Sequence, residues 1–493
     1  MNKKNCAIIL FFFCFNLYAV EIIPKNIFLD HYEIIPPLGR VKSISTSLNK
    51  IFAISDNYLL IFDKNTLELL RVTHFNQEVT LVAYDPFYDE LWIPSMNSIL
   101  RYNISLGSIR EYQFNDYVMG IGLTQDKVYI LGEKKYSLDR VSGKFGIVSE
   151  FPENTIWHRV FDKKLLNNYR FLAPFFYQDD LNETNEPFHQ YEITALYNDG
   201  IYLYVGTNKY GVLRYNTISF KKDRIIYGPL TTYNLKLKKF GSKYYFISDA
   251  GISSLSVVDR NEWSYFRLSK KSGDFLLIGN EYIISFGSQL TRVSGVVSTP
   301  IAQFQHSILT LNFDETNIYI GTDNGMYKIL KETREPIEFG PDRYPVYVIY
   351  PMNEQLFVGG EFATYKFDRK LNQWFQIIPW GTKDICEVKS CFYFLTNNNQ
   401  LVKYKPFEDS IITENDKIAI VLPYFNIYDI DSDGKTLYCA TGSGINYLDP
   451  ETELYNPIYN LPRIKYNYVA IVEEDIIAVS DDCIYRLPIK YRD

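Results

Sequence analysis

Asn317-Ile318-Tyr319-Ile320-Gly321-Thr322-Asp323-Asn324-Gly325-Met326-Tyr327-Lys328 is the stretch that decides the fold. The alternation across Ile318 to Ile320 puts side chains on the two faces of a strand. Asp323-Asn324-Gly325 then supplies residues that tolerate positive φ, as a tight hairpin requires. Met326 to Leu330 returns antiparallel, and a turn at Lys331 to Arg334 leads to an outer strand near Ile337 to Phe339. Val346 to Tyr350 opens the next unit. Each period therefore holds four strands.

The pattern recurs in Leu203-Tyr204-Val205-Gly206-Thr207 with Gly211-Val212-Leu213-Arg214-Tyr215. It recurs again in Leu437-Tyr438-Cys439-Ala440-Thr441-Gly442-Ser443-Gly444-Ile445-Asn446-Tyr447. Fainter copies begin at Ile51, Leu91, Val128, Tyr244, Tyr282, Leu356, Phe392 and Ile476, with neighbours 36 to 45 residues apart. Four strands in such a period define a propeller blade. Helical repeats of similar length would place apolar residues three and four apart, whereas these segments alternate.

The spacing from Val128 to Tyr202 is 74, about two periods. Residues 151–190 are therefore expected to hold one degenerate blade, with the apolar run Arg170 to Tyr177 and a long acidic loop, Asp179 to Glu186. Counting it gives about twelve repeats. Single rings usually hold four to eight blades, so the expectation is an all-β protein of two rings. Residues 20–230 would form the first, with about five blades, and 231–493 the second, with about seven. His31 to Pro36 reads as an outer strand without a blade, and Asp475 to Lys490 as a blade without an outer strand. Joining them would close a ring and remove an exposed edge. That closure leaves open one very large ring or one propeller inserted within another.

Composition agrees with strands. Tyr (42) and Phe (34) are abundant, and both suit a pleated, half-buried surface. Residues 1–19 read as a signal peptide: Lys3 and Lys4, then an apolar run from Cys6 to Leu17, then Ala19 as a small residue for cleavage. No later stretch approaches 18 apolar residues, so the mature chain is expected to be exported, periplasmic or extracellular, without a transmembrane segment. Its 49 basic against 58 acidic residues, once Lys3 and Lys4 are removed, exclude nucleic acid as a natural partner.

The pattern Leu-Tyr-Val-Gly-Thr-x-x-x-Gly-Leu-x-Arg-Tyr resembles the two-component regulator propeller repeat, within the broader quinoprotein-like and YVTN-like propeller group. The match is clearest at Leu203 to Tyr215, Ile318 to Lys328 and Leu437 to Leu448. In that family such repeats form periplasmic sensing domains, often paired propellers joined through a membrane helix to a histidine kinase; for this chain the resemblance implies neither a ligand nor signalling. This chain carries neither kinase nor membrane helix in its sequence, so the implied form is a stand-alone exported propeller.

Chemistry is sparse. Asp429-Ile430-Asp431-Ser432-Asp433-Gly434 has the opening spacing of a calcium loop, in which alternating carboxylates converge on a hard cation. The closing acidic position, eleven residues after Asp429, is Ala440, which favours a plain hairpin turn. His31, His74, His158, His189 and His306 have no metal-motif spacing. Gly-x-Ser-x-Gly elbows, phosphate loops and the adjacent cysteines of quinone enzymes are missing, so no cofactor is expected. Cys386 and Cys391 flank a hairpin turn and could pair or remain free thiols, like Cys439 and Cys483. Asn103-Ile104-Ser105 and Asn182-Glu183-Thr184 fit the glycosylation pattern.

A strong scaffold without a catalytic constellation reads as a non-catalytic binding or scaffold module for a protein or glycan partner. Its contacts would come from loops at one face and from the Phe175 to Glu186 segment. Three or more carboxylates or histidines converging in a ring's channel would speak against that reading. They would favour a carbohydrate-active enzyme, whose acids and bases come from different blades. A ligand-sensing module is the third alternative.

Overall fold

The computed structural model describes residues 32–169 and 191–492, apart from short stretches at 220, 234, 242, 257–261, 269, 295–296, 332–334, 353, 405–417, 421–425 and 453. The described residues form eleven antiparallel sheets and contain no α-helix. They divide into two compact units. The first holds residues 39–169 and 191–225, and the second 32–38 and 226–492.

The quoted stretch folds as read. Asn317–Thr322 and Gly325–Leu330 pair from Asn317↔Leu330 to Thr322↔Gly325. Gly325 takes φ +95, and the Thr322 hydroxyl donates to its carbonyl at 2.8 Å. Pro336–Glu338 completes the sheet.

The first unit contains four sheets, spanning 41–74, 83–113, 120–159 and 193–225. The inner strands of the first two sheets are held side by side by side-chain bonds of constant offset. Ser43 Oγ accepts from the Val82 amide, and Ser45 Oγ from the Tyr84 amide. Advancing two residues on both strands means that neighbouring inner strands run in the same direction. Thr194 of the last sheet donates to the Val41 carbonyl of the first, which closes the ring. Residues 151–169 do not open the expected extra blade. Ile156–Arg159 instead pairs with Gly120–Leu123 as a fifth strand of the third sheet, and residues 170–190 lie outside the described set. A four-residue strand with exposed flanks cannot bury a face of its own, whereas against Gly120 and Gly122 it packs closely. A Cβ at Gly122 would lie 2.5 Å from Thr155 Cγ2 and 3.0 Å from the Trp157 ring.

The second unit contains seven sheets, spanning 236–267, 275–303, 308–338, 346–378, 382–420, 427–457 and 468–488. Consecutive inner strands from Ile308–Phe313 to Tyr468–Val472 touch in order, and Lys236–Phe240 touches Tyr468–Val472 to complete the circle. A shared core of Tyr245, Ile247 and Ile252 with Phe275, Ile284 and Val293 joins the first two sheets. The last sheet gains its outer strand from the other end of the chain. Glu33–Ile35 pairs with Ile484, Tyr485 and Arg486. The first and last described strands thus lie in one sheet, and the four-sheet propeller is inserted in sequence between Leu38 and residue 226. Entry and return strands cross where Leu38 donates to the Pro229 carbonyl at 2.7 Å. Gly228 is required there, because a Cβ would sit 1.7 Å from the Pro36 carbonyl oxygen.

Ile35 is buried beside Ile477, Val479 and Ile484. Ile35→Ala is expected to cost about 2–5 kcal/mol through lost burial and a residual cavity. Two-transition thermal or denaturant melting should show the seven-sheet unit unfolding earlier, with the four-sheet transition unmoved.

Candidate functional site

One feature of the inner strands prepares a rim. In six of them the register slips by one residue near the start: between Val41/Ser43, Ile193/Ala195, Ile308/Thr310, Val346/Val348, Thr382/Asp384 and Ile427/Asp429. Such bulges re-aim the extra side chain. In the seven-sheet unit the extra residues include Tyr347, Lys383 and Tyr428.

Tyr347 and Lys383 line a hollow of about 650 Å³ with Glu361, Phe362, Trp380, Gly381, Asn397 and Asn398. Its floor is tied by main-chain bonds. The Asn397 amide donates to Gly381 O at 2.9 Å, and Glu361 N donates to Pro345 O at 3.0 Å. Asn397 Nδ2 reaches the Glu361 carbonyl at 2.9 Å. Gly381 leaves room for this: a Cβ would meet Glu361 O at 1.9 Å and Asn397 Nδ2 at 2.4 Å. The Thr364 hydroxyl bonds the Trp380 carbonyl at 3.0 Å. Lys383 Nζ donates to Asn399 Oδ1 and Ile427 O, both at 2.8 Å, and burial lowers its pKa.

Above this rigid floor the rings stay in water. Phe362 is 59% exposed, and Tyr347 and Trp380 are each 38% exposed. Tyr344 stands edge-on to Phe362 with ring centres 5.0 Å apart. Flat apolar rings beside amide, carboxylate and ammonium groups suit a ligand with an apolar face and a hydroxyl- or amide-bearing edge.

A second constellation lies on the inner strands beneath. Asp384, Asp429 and Asp431 are all half-buried. Asp384 accepts from the Ile385 amide at 2.8 Å and the Ile430 amide at 3.1 Å. Asp429 accepts from Val469 N at 2.9 Å and Asp431 from Ile471 N at 2.6 Å. Asp384 and Asp429 also bond each other. Two carboxyl groups can do so only with a proton between them, and burial raises the pKa of both. Burial likewise pushes Asp431 up to about 7. Asp431 also borders a hollow of about 450 Å³ with Tyr350, Glu387, Lys389 and Ser432. Lys389 and Ser390 on its lip have φ of 48 and 64, an uncommon turn for residues other than Gly or Asn.

The proposed calcium trio is not assembled. Asp429 and Asp431, two apart on one strand, reach the neighbouring sheet together, but Asp433 sits in the following turn. Its Oδ1 accepts from Lys435 N and Thr436 N, and its Oδ2 from the Tyr438 hydroxyl at 3.2 Å. Asp314 serves Tyr319 in the same way, and Asp199 serves Tyr204. In these two a cation from the adjacent sheet joins the carboxylate: Arg369 at 2.7 Å and Lys64 at 2.8 Å respectively. At Asp433 the matching cation, Arg492, meets the Tyr438 hydroxyl at 2.9 Å. The Asp-x-x-x-x-Tyr spacing is therefore a structural latch between sheets. Among the described residues no three His, Cys, Asp or Glu side chains are placed to hold one metal ion.

The histidines are scattered. His158 is buried in the first unit, stacked on Tyr197 with centres 5.9 Å apart, and burial lowers its pKa to about 4. His74 packs on Tyr58, and His306 contacts Asp323 and Asn324. His31, His189, Asn182, the signal segment and the acidic loop lie outside the described residues. Among the described residues Cys386, Cys391, Cys439 and Cys483 form no disulfide. In the register Cys386 faces Tyr393, and Cys391 faces Val388, so the two thiols are not cross-strand partners. Asn103 turns its side-chain oxygen to the Leu106 amide. Asp384, Lys383 and Trp380 escaped sequence reading, although Asp384 occupies the same post-bulge position as Asp429.

Among the described residues no helix is long and apolar enough to cross a membrane. No known family and no curated protein matches the sequence. Solved structures do resemble it. The extracellular domain of BT4673 from B. thetaiotaomicron, named as a one component system, shares 12% identity over 92% of this chain and 76% of that one, with a TM-score of 0.42. A second structure of the BT4673 extracellular domain, named as a hybrid two component system, shares 11% over 91% and 70%, with a TM-score of 0.40. PorZ, a surface component of the type-IX secretion system of Porphyromonas gingivalis, shares 11% over 93% and 87%, with a TM-score of 0.37. At these identities and scores they say nothing of a ligand.

The raised carboxyl pKa values have a sign. An unfolded Asp titrates near 3.9. A folded-state value near 7 at Asp431 means that the folded chain keeps a proton the unfolded chain releases, so stability falls as pH rises from about 4 through 7. Melting the seven-sheet unit across this window should show its midpoint dropping toward pH 8. Asp431→Asn should flatten that slope.

Proposed function

We propose that the chain is an exported, non-catalytic binding module whose protein or glycan partner docks in the hollow formed by Tyr347, Phe362 and Trp380. The observation that carries this reading is a set of large, half-exposed rings above a floor held by hydrogen bonds. Interface anchors are typically such aromatic groups, because they offer much contact area at low entropic cost. The charged and amide groups at the edge, Glu361, Lys383, Asn397 and Asn398, supply direction without an acid–base pair set for bond cleavage.

Trp380→Ala and Phe362→Ala should each weaken binding by about tenfold or more, in the range of an interface anchor, with little change in melting temperature. Arrayed glycans and capture from the extracellular fraction would supply the partners for titration. Undiminished affinity in the double variant would place the site elsewhere.

The enzyme reading has its own observation: Asp384, Asp429 and Asp431 do converge on the inner strands, with raised pKa values. Against it, each of the three already accepts a backbone amide. Asp274, Ser43 and Ser45 do the same work at inner-strand positions of other sheets. A carboxyl engaged as an inter-sheet tie is poorly placed to donate to a glycosidic oxygen. Asp431, beside the smaller hollow, is the one to test. Incubating the wild-type chain with a polysaccharide panel should give no new reducing ends. Turnover that Asp431→Asn abolishes would establish the enzyme.

A further inference from the structure

Two rings at the rim of the seven-sheet unit already hold cations supplied by the chain itself. Tyr428, the bulged residue of the sixth sheet of that unit, has the Lys465 ammonium 5.1 Å from its ring centre. The Asp481 carboxylate lies 3.8 Å from the same ammonium. Tyr459, in the link to the last sheet, has the Arg463 guanidinium 5.4 Å from its ring centre. The face of an aromatic ring is negative, so a cation over it is attracted, and a carboxylate nearby adds to the attraction.

Tyr347 holds the same bulged place two sheets earlier, with the rings and the carboxylate but without the cation. The link that carries Arg463 and Lys465 runs from Pro457 to Tyr468, whereas its counterpart between Ile378 and Thr382 is only Pro379, Trp380 and Gly381. So short a link brings a further ring and no base. Among the described residues no Lys or Arg lies over Tyr344, Tyr347, Phe362 or Trp380. Glu361 lies in a hairpin turn between second and third strands, as Asp481 does in the last sheet. It lines the hollow, and its side chain makes no hydrogen bond or ion pair with the described residues. Burial and then the Glu361 charge raise the pKa of the Tyr347 hydroxyl, which places that charge near the ring. The other charged groups here are matched. Lys383, the second charge on the wall, donates to Asn399 and Ile427. Next to Tyr344 in the chain, Arg343 pairs with Glu338 at 3.2 Å and Asp342 accepts from the Tyr365 hydroxyl.

Resting on the docking proposed for this hollow, we infer that it receives a cationic side chain, a Lys or Arg presented by a protein partner. The alkyl stem lies against the ring faces and the charged head reaches Glu361, as Lys465 lies between Tyr428 and Asp481. A free small cation would keep most of its water beside rings that are half exposed, and water weakens the attraction. A side chain carried on a protein surface brings the cover that excludes that water. A neutral glycan would stack on the same rings but leave Glu361 without a counter-charge, and an acidic glycan would meet it as a like charge.

Titration followed at Trp380 tests this. In the full chain labelled with fluorotryptophan, Trp380→Phe identifies the Trp380 fluorine resonance among those of the five Trp residues. The probes are acetyl-Gly-Lys-Gly-amide, the same peptide with its Lys Nε acetylated, and tetramethylammonium chloride. The Lys peptide is expected to shift the Trp380 resonance saturably, and the acetylated peptide to bind about tenfold more weakly. Glu361→Gln should weaken the Lys peptide about threefold, the size of one exposed charge pair. It should leave the acetylated peptide and the melting curve unchanged, and added salt should weaken wild type more than the variant. No shift with the Lys peptide up to its solubility limit, equal binding of the two peptides, or a Glu361→Gln variant that binds as wild type does each overturns the inference. Tetramethylammonium binding more tightly than the Lys peptide also overturns it, since the ligand is then a free quaternary ammonium. The docking itself is judged apart from charge, by Trp380→Ala and Phe362→Ala against the captured partner, because a neutral ligand would fail the peptide test and still need both rings.

Discussion

The structure depends on one constraint: a ring of sheets has to be shut by something other than continuous chain. In the seven-sheet unit that something is three residues. Glu33–Ile35 supplies the outer strand that the final sheet lacks, so its first and last elements share one ladder. Arg486 in that ladder bonds Asp475 at 2.6 Å and lies 3.7 Å from Glu33, which adds a charge tie at the seam. An open ring would leave two unpaired edges. Because closure uses the first described strand, a whole second propeller can be accommodated in sequence between that strand and the rest, provided the two passes meet closely. The glycine at 228 permits that meeting.

Within each ring the sheets are joined by a repeated device more than by any single pair. Inner-strand side chains reach the neighbouring inner strand's main chain: Ser43 and Ser45 in one unit, and Asp274, Asn312, Asp384, Asp429 and Asp431 in the other. Parallel neighbours at a propeller axis are too far apart for a ladder, so their amides would otherwise go without protein partners. A short acceptor fills that gap. Where a cation stands near, as Lys238 does beside Asp274 at 2.8 Å, the ammonium outweighs the burial that opposes charge and holds the carboxyl low. Three carboxyls gathered over adjacent sheets lack that compensation, and their pKa values rise. The same role thus yields opposite electrostatics according to neighbours.

This explains what could be read from residue order and what could not. The Ile318 to Lys328 hairpin, the four-strand period and the unpaired terminal strands were legible, because alternation, turn chemistry and spacing are local. Of the blade expected at 151–190, the described residues 151–169 instead add a strand to the third sheet, because spacing counts residues, not partners. Ile156–Arg159 found a place against Gly120 and Gly122, where missing side chains leave room. Asp429 and Asp433 looked alike in sequence, yet one ties inner strands and the other holds Tyr438. What separates them is strand against turn. The aromatic hollow was invisible, since Tyr347, Phe362 and Trp380 come from the start of a strand, a hairpin turn and the link to the next sheet, and meet only when that sheet folds.

The bulges link these levels. An extra residue near the start of an inner strand costs ladder bonds, yet it recurs at one position in six sheets. In the first unit the residues it re-aims, Lys42 and Thr194, bond carbonyls of neighbouring sheets. In the second, Lys383 does likewise, but Tyr347 and Tyr428 turn into solvent beside it, with Lys465 lying over the Tyr428 ring at 5.1 Å. A device that joins blades has thereby been converted, at two of its positions, into a means of presenting rings at a face. Because the backbone there is already set by the ring's own hydrogen bonds, those rings are positioned before any partner arrives, which keeps the entropic cost of binding small.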